Sequence, residues 1–362
     1  MQKLWWVSCA LALVACGRIA QGTNDDVGSS TAGLDCTYGK IASVPGLPLS
    51  LASTGKSIFI VSYDVGGEIG DLRAVTSDGA VHLLARDNAA VGMIPTGSSL
   101  VFSRRTVDQQ QNLLGETIDI VDENFAISQL DTTTDSIAKV DSLIGDGRGG
   151  VVWRRWAKGN SPDDPSVLGS VSLEKFTGGS VVTIAGNSDA SWPNDIVTDG
   201  TDYYGLVAPQ DPSAYGNVVG RIGIGTTPEL ILVGNTANQI RLFQSVVGVD
   251  DTNVVYLTYG TPGADAWAVP KNGGTPLEIA ALATGGNAPV LYDHHLYWAQ
   301  QNGDDTYSVS RVATAAGSVV EKIATQSASI AAITVDACGV VYAVTDSAAP
   351  GTTAATIYRS KI

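Results

Sequence analysis

Histidine, the residue that most often serves as a general acid or base, occurs only three times in this chain. His294 and His295 are adjacent, and neighbouring residues of a strand point to opposite faces, which disfavours a metal pair. His82 lies in the apolar segment 81–84 and is expected on the surface. The sequence contains no Gly-x-Ser-x-Gly elbow, no Walker loop and no Cys-x-x-Cys pair. We therefore assign no catalytic residue, no metal ligand and no cofactor, and favour a binding protein over an enzyme.

Three acidic pairs are further possible ligands: Asp163-Asp164, Asp250-Asp251 and Asp304-Asp305. Calcium is bound by carboxylate oxygens of this kind. None of the pairs has EF-hand spacing, however, and Asp is common in turns because its side chain bonds to nearby backbone groups. We interpret these pairs as turn residues and leave bound calcium open.

Two arginine pairs, Arg104-Arg105 and Arg154-Arg155, occur in a strongly acidic chain, and Trp156 follows the second pair. The chain has 36 acidic and 21 basic residues, a formal net charge of −15. A local cationic spot on such a body can select an anionic or carbohydrate ligand. Alternatively, the arginines pair with nearby acids such as Asp163 and Asp164. The acidic balance itself argues against nucleic acid as a partner.

The strands that position these residues are indicated by a short sequence motif that recurs seven times. In each copy a turn dipeptide precedes a hydrophobic run that ends near an aromatic residue. Successive copies start 42, 50, 53, 51, 42 and 44 residues apart. Such a period with strand-type composition indicates a β-propeller, in which each repeat is one four-stranded blade. The copies begin at Thr54, Thr96, Asp146, Asp199, Asp250, Tyr292 and Asp336.

The fold class predicted from these repeats is all-β: a seven-bladed propeller of four-stranded antiparallel blades. The sixth repeat shows the pattern most clearly, with strict alternation along residues 307–312. In the second repeat, either residues 117–121 or residues 125–130 form the third strand, and the sequence does not decide between them.

The functional face of a propeller is usually built from the loops between second and third strands and the links between blades. The loops at 104–116, 155–167 and 208–216 are long, so the arginine pairs are expected on loops of neighbouring blades, where they could form one basic patch. Exposed loop side chains of this kind should contribute little to stability. Trp192 and Arg241 lie in links between blades and should approach the central channel, where they either bind a ligand or plug the channel. The predicted ligand-binding residues are Arg104, Arg105, Arg154, Arg155, Trp156, Trp192 and Arg241.

The N-terminus reads as an export signal. Lys3 precedes an apolar stretch over residues 4–15, which is too short to span a bilayer as a helix of ~20 residues. Leu13-Val14-Ala15-Cys16 resembles a bacterial lipobox, which implies cleavage before Cys16 and lipidation of Cys16. By the same resemblance, Gly17 favours an outer-membrane lipoprotein, on the periplasmic side or the cell surface. The alternative is an ordinary signal peptide in which Cys16 is incidental.

Three regions follow from this reading: a signal peptide over 1–15, a lipid-anchored flexible tether over 16–35 and the propeller over 36–362. Cys9 leaves with the signal and Cys16 carries lipid, so Cys36 and Cys338 remain in an oxidising compartment, where a disulfide is expected. Residues 38–44 match the outer strand of the sixth repeat. They can supply the fourth strand that the last blade otherwise lacks, which would close the ring.

Leu296-Tyr297-Trp298-Ala299 and Val309-Ser310-Arg311-Val312 resemble the YWTD-type receptor repeat, although Gln300 stands where that repeat has aspartate. More broadly, residues 37–362 are similar to the TolB-like and NHL-like group of propellers. We predict a monomeric, lipid-anchored module of the cell envelope that binds an unknown protein or glycan. One alternative is a propeller lyase or hydrolase such as virginiamycin B lyase, which would need a histidine and a divalent ion on the functional face. The other is a component of outer-membrane assembly.

The lipobox leads to a test of anchoring. Replacing Cys16→Ser removes the thiol that would carry the lipid, so acylation should disappear and the precursor should stay unprocessed. Mass spectrometry of the chain from membranes checks this. An acylated Cys16→Ser variant, or a wild-type chain without lipid mass, would contradict the anchor.

Overall fold

The structure is a computed structural model that describes residues 36–63, 70–86, 90–107, 113–133, 139–145, 150–158, 168–177, 180–187, 194–207, 218–222, 229–232, 243–259, 263–283, 289–349 and 352–362. These residues form seven four-stranded antiparallel sheets, which confirms the predicted fold class. Within these ranges, no helix has the length and apolar character needed to traverse a bilayer.

The strands alternate with short connections along the whole described chain. In chain order they are β1 (Gly39–Pro45), β2 (Leu47–Ser53), β3 (Ser57–Tyr63), β4 (Asp71–Thr76), β5 (Val81–Ala85), β6 (Ala90–Thr96), β7 (Ser99–Val107), β8 (Leu113–Val121), β9 (Ile127–Thr133), β10 (Lys139–Gly145), β11 (Val151–Lys158), β12 (Leu168–Thr177), β13 (Ser180–Asn187), β14 (Asn194–Thr198), β15 (Tyr203–Val207), β16 (Val218–Ile222), β17 (Glu229–Leu232), β18 (Phe243–Val249), β19 (Asn253–Tyr259), β20 (Gly263–Pro270), β21 (Leu277–Ala283), β22 (Val290–Tyr292), β23 (His295–Gln301), β24 (Tyr307–Ala313), β25 (Glu321–Gln326), β26 (Ile330–Asp336), β27 (Gly339–Ala349) and β28 (Thr352–Ser360).

Each run of four strands from β2 to β25 is one sheet, giving blades one to six, and blade seven has the order β26-β27-β28-β1. The first strands of consecutive blades contact one another, and β26 of blade seven contacts β2 of blade one. The first strands therefore line the inside of a closed ring. In blade two the third strand is β8, so the first of the two alternatives left open by the sequence is confirmed.

The apolar core is a series of layers between neighbouring blades. Alternate residues of a strand point to opposite faces, so each blade packs against both neighbours. In β19, Val254 packs in the layer shared with blade four, whereas Val255 packs in the layer shared with blade six. Gly248 permits close approach between blades five and six, since a Cβ at this position would lie 2.8 Å from Leu291 Cδ2. No blade could bury its faces alone.

Blade seven contains the seam of the ring. β1 pairs with β28 from Gly39 opposite Arg359 to Pro45 opposite Ala354, which confirms the predicted closing strand. Beside it, Cys36 and Cys338 form the predicted disulfide, with a Cα–Cα distance of 5.5 Å. The ends of the ring are thus joined by a strand ladder and by a covalent bond within one blade.

A buried or half-buried aspartate ends the first strand in three of the described blades. One carboxylate oxygen accepts the backbone N–H groups of the residues two and three positions ahead, which stabilises the turn. The other oxygen accepts a hydrogen bond from the next blade in the ring. The pairs are Lys271 Nζ to Asp199 at 2.8 Å, Thr314 Oγ1 to Asp250 at 2.8 Å, and Ser53 Oγ to Asp336.

The seam leads to a prediction for stability. Replacing both Cys36 and Cys338 with Ala should lower the free energy of unfolding by about 2–5 kcal/mol, because the bond closes a very long loop in the unfolded chain. Urea denaturation measures the loss. The control is the reduced wild-type chain, which lacks the bond but keeps both sulfur atoms. It separates the effect of the bond from the effect of the volume lost when Cys338 is replaced by Ala. Equal stability of oxidised and reduced wild-type chain would contradict the prediction.

Candidate functional site

The two ends of the ring differ in the length of their connections. At the turn end, first strands lead into second strands and third into fourth, through 2 to 7 residues. At the loop end, second strands lead into third strands and each blade leads into the next. The three longest connections all lie at the loop end, and all adjoin blades three, four and five. They are 159–167, 208–217 and 233–242, with 9, 10 and 10 residues.

Arg104 and Arg105 lie in strand β7, which corrects the predicted start of the blade-two loop at residue 104. β7 and β8 stay paired as far as Val107 and Leu113, because ladder hydrogen bonds use the backbone and do not depend on the charged side chains. Arg104 Nε lies 3.0 Å from Oδ2 of Asp119, whose side chain is completely buried. The side chain of Arg105 lies outside the described residues.

The second arginine pair also lies in a strand, since β11 includes Arg154, Arg155 and Trp156. Arg154 is buried. Arg155 forms ion pairs with Asp131 on β9 of blade two and with Glu174 on β12, where Nε and Oε2 are 3.1 Å apart. The side chain of Trp156 lies outside the described residues.

Arg155 therefore connects blade three to blade two. Its described partners are Asp131 and Glu174, whereas Asp163 and Asp164, the partners considered from the sequence, lie outside the described residues. A buried Arg154 and a paired Arg155 argue against the expectation that these side chains could be removed without loss of stability.

The described arginines also occupy different layers of the ring. Arg104 follows Phe102, which packs between blades one and two, by two residues along the same strand face. Arg155 follows Trp153, which packs between blades two and three, in the same way. Trp192 and Arg241 lie outside the described residues, within the connections 188–193 and 233–242. A ligand-binding role for the seven residues stays a prediction.

The Arg104–Asp119 pair places a carboxylate in the buried interior, which disfavours the charged form of Asp119. Burial raises the pKa of Asp119, and the Arg104 guanidinium and the Thr117 hydroxyl lower it only in part. Of the two groups that favour the charged form and so lower this pKa, Arg104 has the larger effect. Losing one member of such a pair leaves an uncompensated buried charge.

The three histidines all lie away from the loop end. His82 is in the outer strand β5 and exposed, as predicted, with its ring 4.7 Å from that of Phe125. His294 and His295 are at the turn between β22 and β23, and His295 Nδ1 lies 2.6 Å from the backbone oxygen of Asp293. The loop end therefore has no histidine for the lyase alternative.

A group of possible metal ligands at the turn end was missed by sequence reasoning. Asp250 and Asp251 come from blade five and His294 comes from blade six, and their ligand atoms all lie within 4.8 Å of one another. The turn role predicted for Asp250 is confirmed by its bonds to the N–H groups of Thr252 and Asn253. The missed signal was the repeat itself: residues 250 and 292 start consecutive copies, so their turns lie at the same end of neighbouring blades.

The Arg104–Asp119 pair makes a pH-dependent prediction. Arg104→Ala should destabilise the chain by roughly 3 kcal/mol at neutral pH, since the buried carboxylate loses its partner. A folded-state pKa above the ordinary value means that ionisation of Asp119 opposes folding as pH rises, so the loss should shrink towards pH 4. Urea denaturation at both pH values tests this.

Lys56→Ala is the control for that experiment, because Lys56 and its partner Glu123 are 61% and 55% exposed and a surface pair contributes only about 0–1 kcal/mol. An equal loss for Arg104→Ala at both pH values would show that Asp119 is not the cause.

Comparisons with known proteins bear on the fold of this chain. No protein-family model matches the sequence, and a search of curated proteins finds no match either. Among solved structures, the uncomplexed acylaminoacyl peptidase from Pyrococcus horikoshii is similar at 10% identity and a TM-score of 0.60, over 88% of this chain and 51% of that chain. Oligogalacturonate lyase from Vibrio parahaemolyticus is similar at 11% identity and a TM-score of 0.53, over 89% and 90% of the two chains.

TolB from Acinetobacter baumannii is also among the similar structures, at 8% identity and a TM-score of 0.47, over 86% of this chain and 79% of that chain. This chain spans about half the length of the peptidase. At such identities the similarity concerns the fold alone. The chain is a seven-bladed β-propeller with structural neighbours that include peptidases, a lyase and TolB.

Proposed function

We propose that this protein is a lipid-anchored propeller of the cell envelope that binds a ligand at its loop end, over blades three to five. The lipid anchor rests on the lipobox-like sequence that ends at Cys16. The binding site rests on one observation, the concentration of the three longest connections over three consecutive blades. Segments that a rigid scaffold holds in place are where binding residues are most often found.

The contrast with the turn end supports this proposal. Turn-end connections are short, and several of their polar side chains bond to the preceding blade, as Lys271 and Thr314 do. Extra length at that end would disturb contacts between blades. We infer that the loop-end connections tolerate changes of length better, as surface connections generally do.

The composition of the loop-end connections favours a polar ligand. The connection at 188–193 contains Trp192, the connection at 233–242 contains Arg241, and the chain as a whole carries a net charge of −15. Arginine can bind a carboxylate or a hydroxyl group, and an aromatic ring can pack on the apolar face of a sugar. We therefore propose an oligosaccharide as the first ligand class to examine.

Shortening the loop-end connections tests the proposal. Residues 159–167 and, in a second variant, residues 208–217 are each replaced by an Asn-Gly turn, which closes an antiparallel pair of strands. The full chain is then applied to an array of acidic and neutral oligosaccharides. Both variants should bind at least roughly tenfold more weakly than wild type, a change of about 1.4 kcal/mol. Their melting temperatures should change little, since surface connections between strands generally tolerate changes of length.

The control shortens residues 223–228 in the same way, because this connection joins the third and fourth strands of blade four at the turn end. This variant should bind as the wild type does. Unchanged binding in both loop-end variants would refute the proposed site. Mass spectrometry of the array sugars after incubation distinguishes an enzyme from a binding protein, because a lyase or hydrolase would shorten the sugars.

A further inference from the structure

Two turns of neighbouring blades bring together three side chains that could bind one metal ion. Asp250 and Asp251 follow β18 in blade five, and His294 lies between β22 and β23 in blade six. His294 Nδ1 is 3.3 Å from Asp251 Oδ1 and 3.7 Å from Asp250 Oδ2. The three residues lie at the turn end, so this group is separate from the proposed ligand site.

Asp250 is held rigidly in this group. Its side chain is completely buried, and Oδ1 accepts hydrogen bonds from the N–H groups of Thr252 and Asn253 and from the Thr252 hydroxyl. Oδ2 accepts one hydrogen bond, from Thr314 Oγ1 at 2.8 Å. A carboxylate oxygen has two lone-pair positions, so Oδ2 can still donate one lone pair towards His294.

Thr314 positions both sides of the group. Its hydroxyl bonds to Asp250 of blade five, and its backbone N–H donates to the backbone oxygen of His294 in blade six at 2.9 Å. One residue therefore sets the distance between a carboxylate and an imidazole that belong to different blades.

The backbone at His294 is in a conformation that this residue rarely adopts. Asp293 and His294 have φ values of 45° and 56°, as in the two-residue hairpin turns in which Asn-Gly or Asp-Gly is favoured. Glycine at position 294 would fit this turn better than histidine does. Histidine at this position therefore costs some turn stability, and its Nδ1 lies near two carboxylates.

Two of the three distances between ligand atoms are close to those within a metal coordination sphere, and the third is within 4.8 Å. At metal–ligand distances of 2.0–2.2 Å, two ligand atoms of a tetrahedral zinc site lie about 3.3–3.6 Å apart. The observed 3.3 Å and 3.7 Å are close to this range, and 3.7 Å is too long for a hydrogen bond. Imidazole suits zinc and similar ions better than calcium or magnesium, which prefer oxygen ligands alone.

We propose that Asp250, Asp251 and His294 bind a divalent transition-metal ion of the zinc class, which links blade five to blade six at the turn end. The side chains of Asp251 and His294 are 60% and 42% exposed, so the ion can enter from solvent and a fourth position stays accessible to water. The competing explanation is a plain ion pair between His294 and Asp251.

Titration of Zn²⁺ into the metal-stripped full chain, followed by calorimetry, tests the proposal. The wild type should bind one ion per chain, and its melting temperature should rise with Zn²⁺, since the ion binds the folded state. His294→Gly and Asp251→Asn should each weaken binding by roughly 10- to 100-fold or more. His295→Ala is the matched control and should bind as the wild type does, because the His295 ring nitrogen Nδ1 contacts the backbone of Asp293.

His294→Gly also separates the metal from the ion pair. Without metal, this variant should be at least as stable as the wild type, because glycine suits the turn, and it should lose the response to Zn²⁺. A variant that is less stable without metal, in a chain that does not bind Zn²⁺, would establish the ion pair and overturn the proposal.

Two further outcomes bear on the choice of ion and on the role of Thr314. Binding of Ca²⁺ that is unaffected in His294→Gly would overturn a zinc-class site. Thr314→Val should weaken Zn²⁺ binding by roughly tenfold or more, and Thr314→Ser, which keeps the hydroxyl, should restore it. Unchanged Zn²⁺ affinity in Thr314→Val would contradict the positioning role.

Discussion

Closure of the ring is the constraint on which the other features of this structure depend. Each blade buries its apolar side chains only because another blade lies against each face, so an open ring would expose two complete sheet faces. The seam in blade seven carries several independent connections. Asp336 receives the N–H groups of Cys338 and Gly339 on one oxygen, and Arg359 of β28 and Ser53 of blade one bond to the other. One buried carboxylate thus connects the disulfide turn, the strand that pairs with β1, and the neighbouring blade.

The same arrangement explains why the two ends of the ring can serve different purposes. At the turn end an aspartate both stabilises its own turn and accepts a bond from the next blade, as Asp199 does with Lys271. That bond and two backbone N–H donors outweigh the effect of burial and lower the pKa of Asp199. Where the next blade presents a histidine beside the hydroxyl donor, as at Asp250, the contact between blades becomes a possible metal site. Such a site requires two additions to the contact between blades: a second acidic residue beside the aspartate, and a histidine in the turn of the next blade.

The fold of the ring could be predicted from the sequence more completely than the polar contacts within the ring. The repeat spacing, the closing strand before Pro45 and the bond between Cys36 and Cys338 follow from period, strand matching and compartment, and the structure contains all three. The partners of Arg104 and Arg155 could not be derived in this way. They depend on where the strands end and on which face of a blade each residue occupies, and a shift of one residue reverses that face. Glu174 lies on the paired strand and Asp131 on the neighbouring blade, and neither position follows from the repeat spacing.

Arg104 and Arg155 form ion pairs within the chain, and this bears on which residues could bind a ligand. Arg155 is paired with Asp131 and Glu174, and Arg104 with Asp119, so an anion bound at either guanidinium would compete with contacts inside the ring. Similar rings occur in a peptidase and in a lyase at about a tenth of residues identical, so this scaffold supports different chemistries without determining any of them. The strands and the described arginines stabilise the ring through these contacts, which supports our proposal that specificity comes from the connections at the loop end.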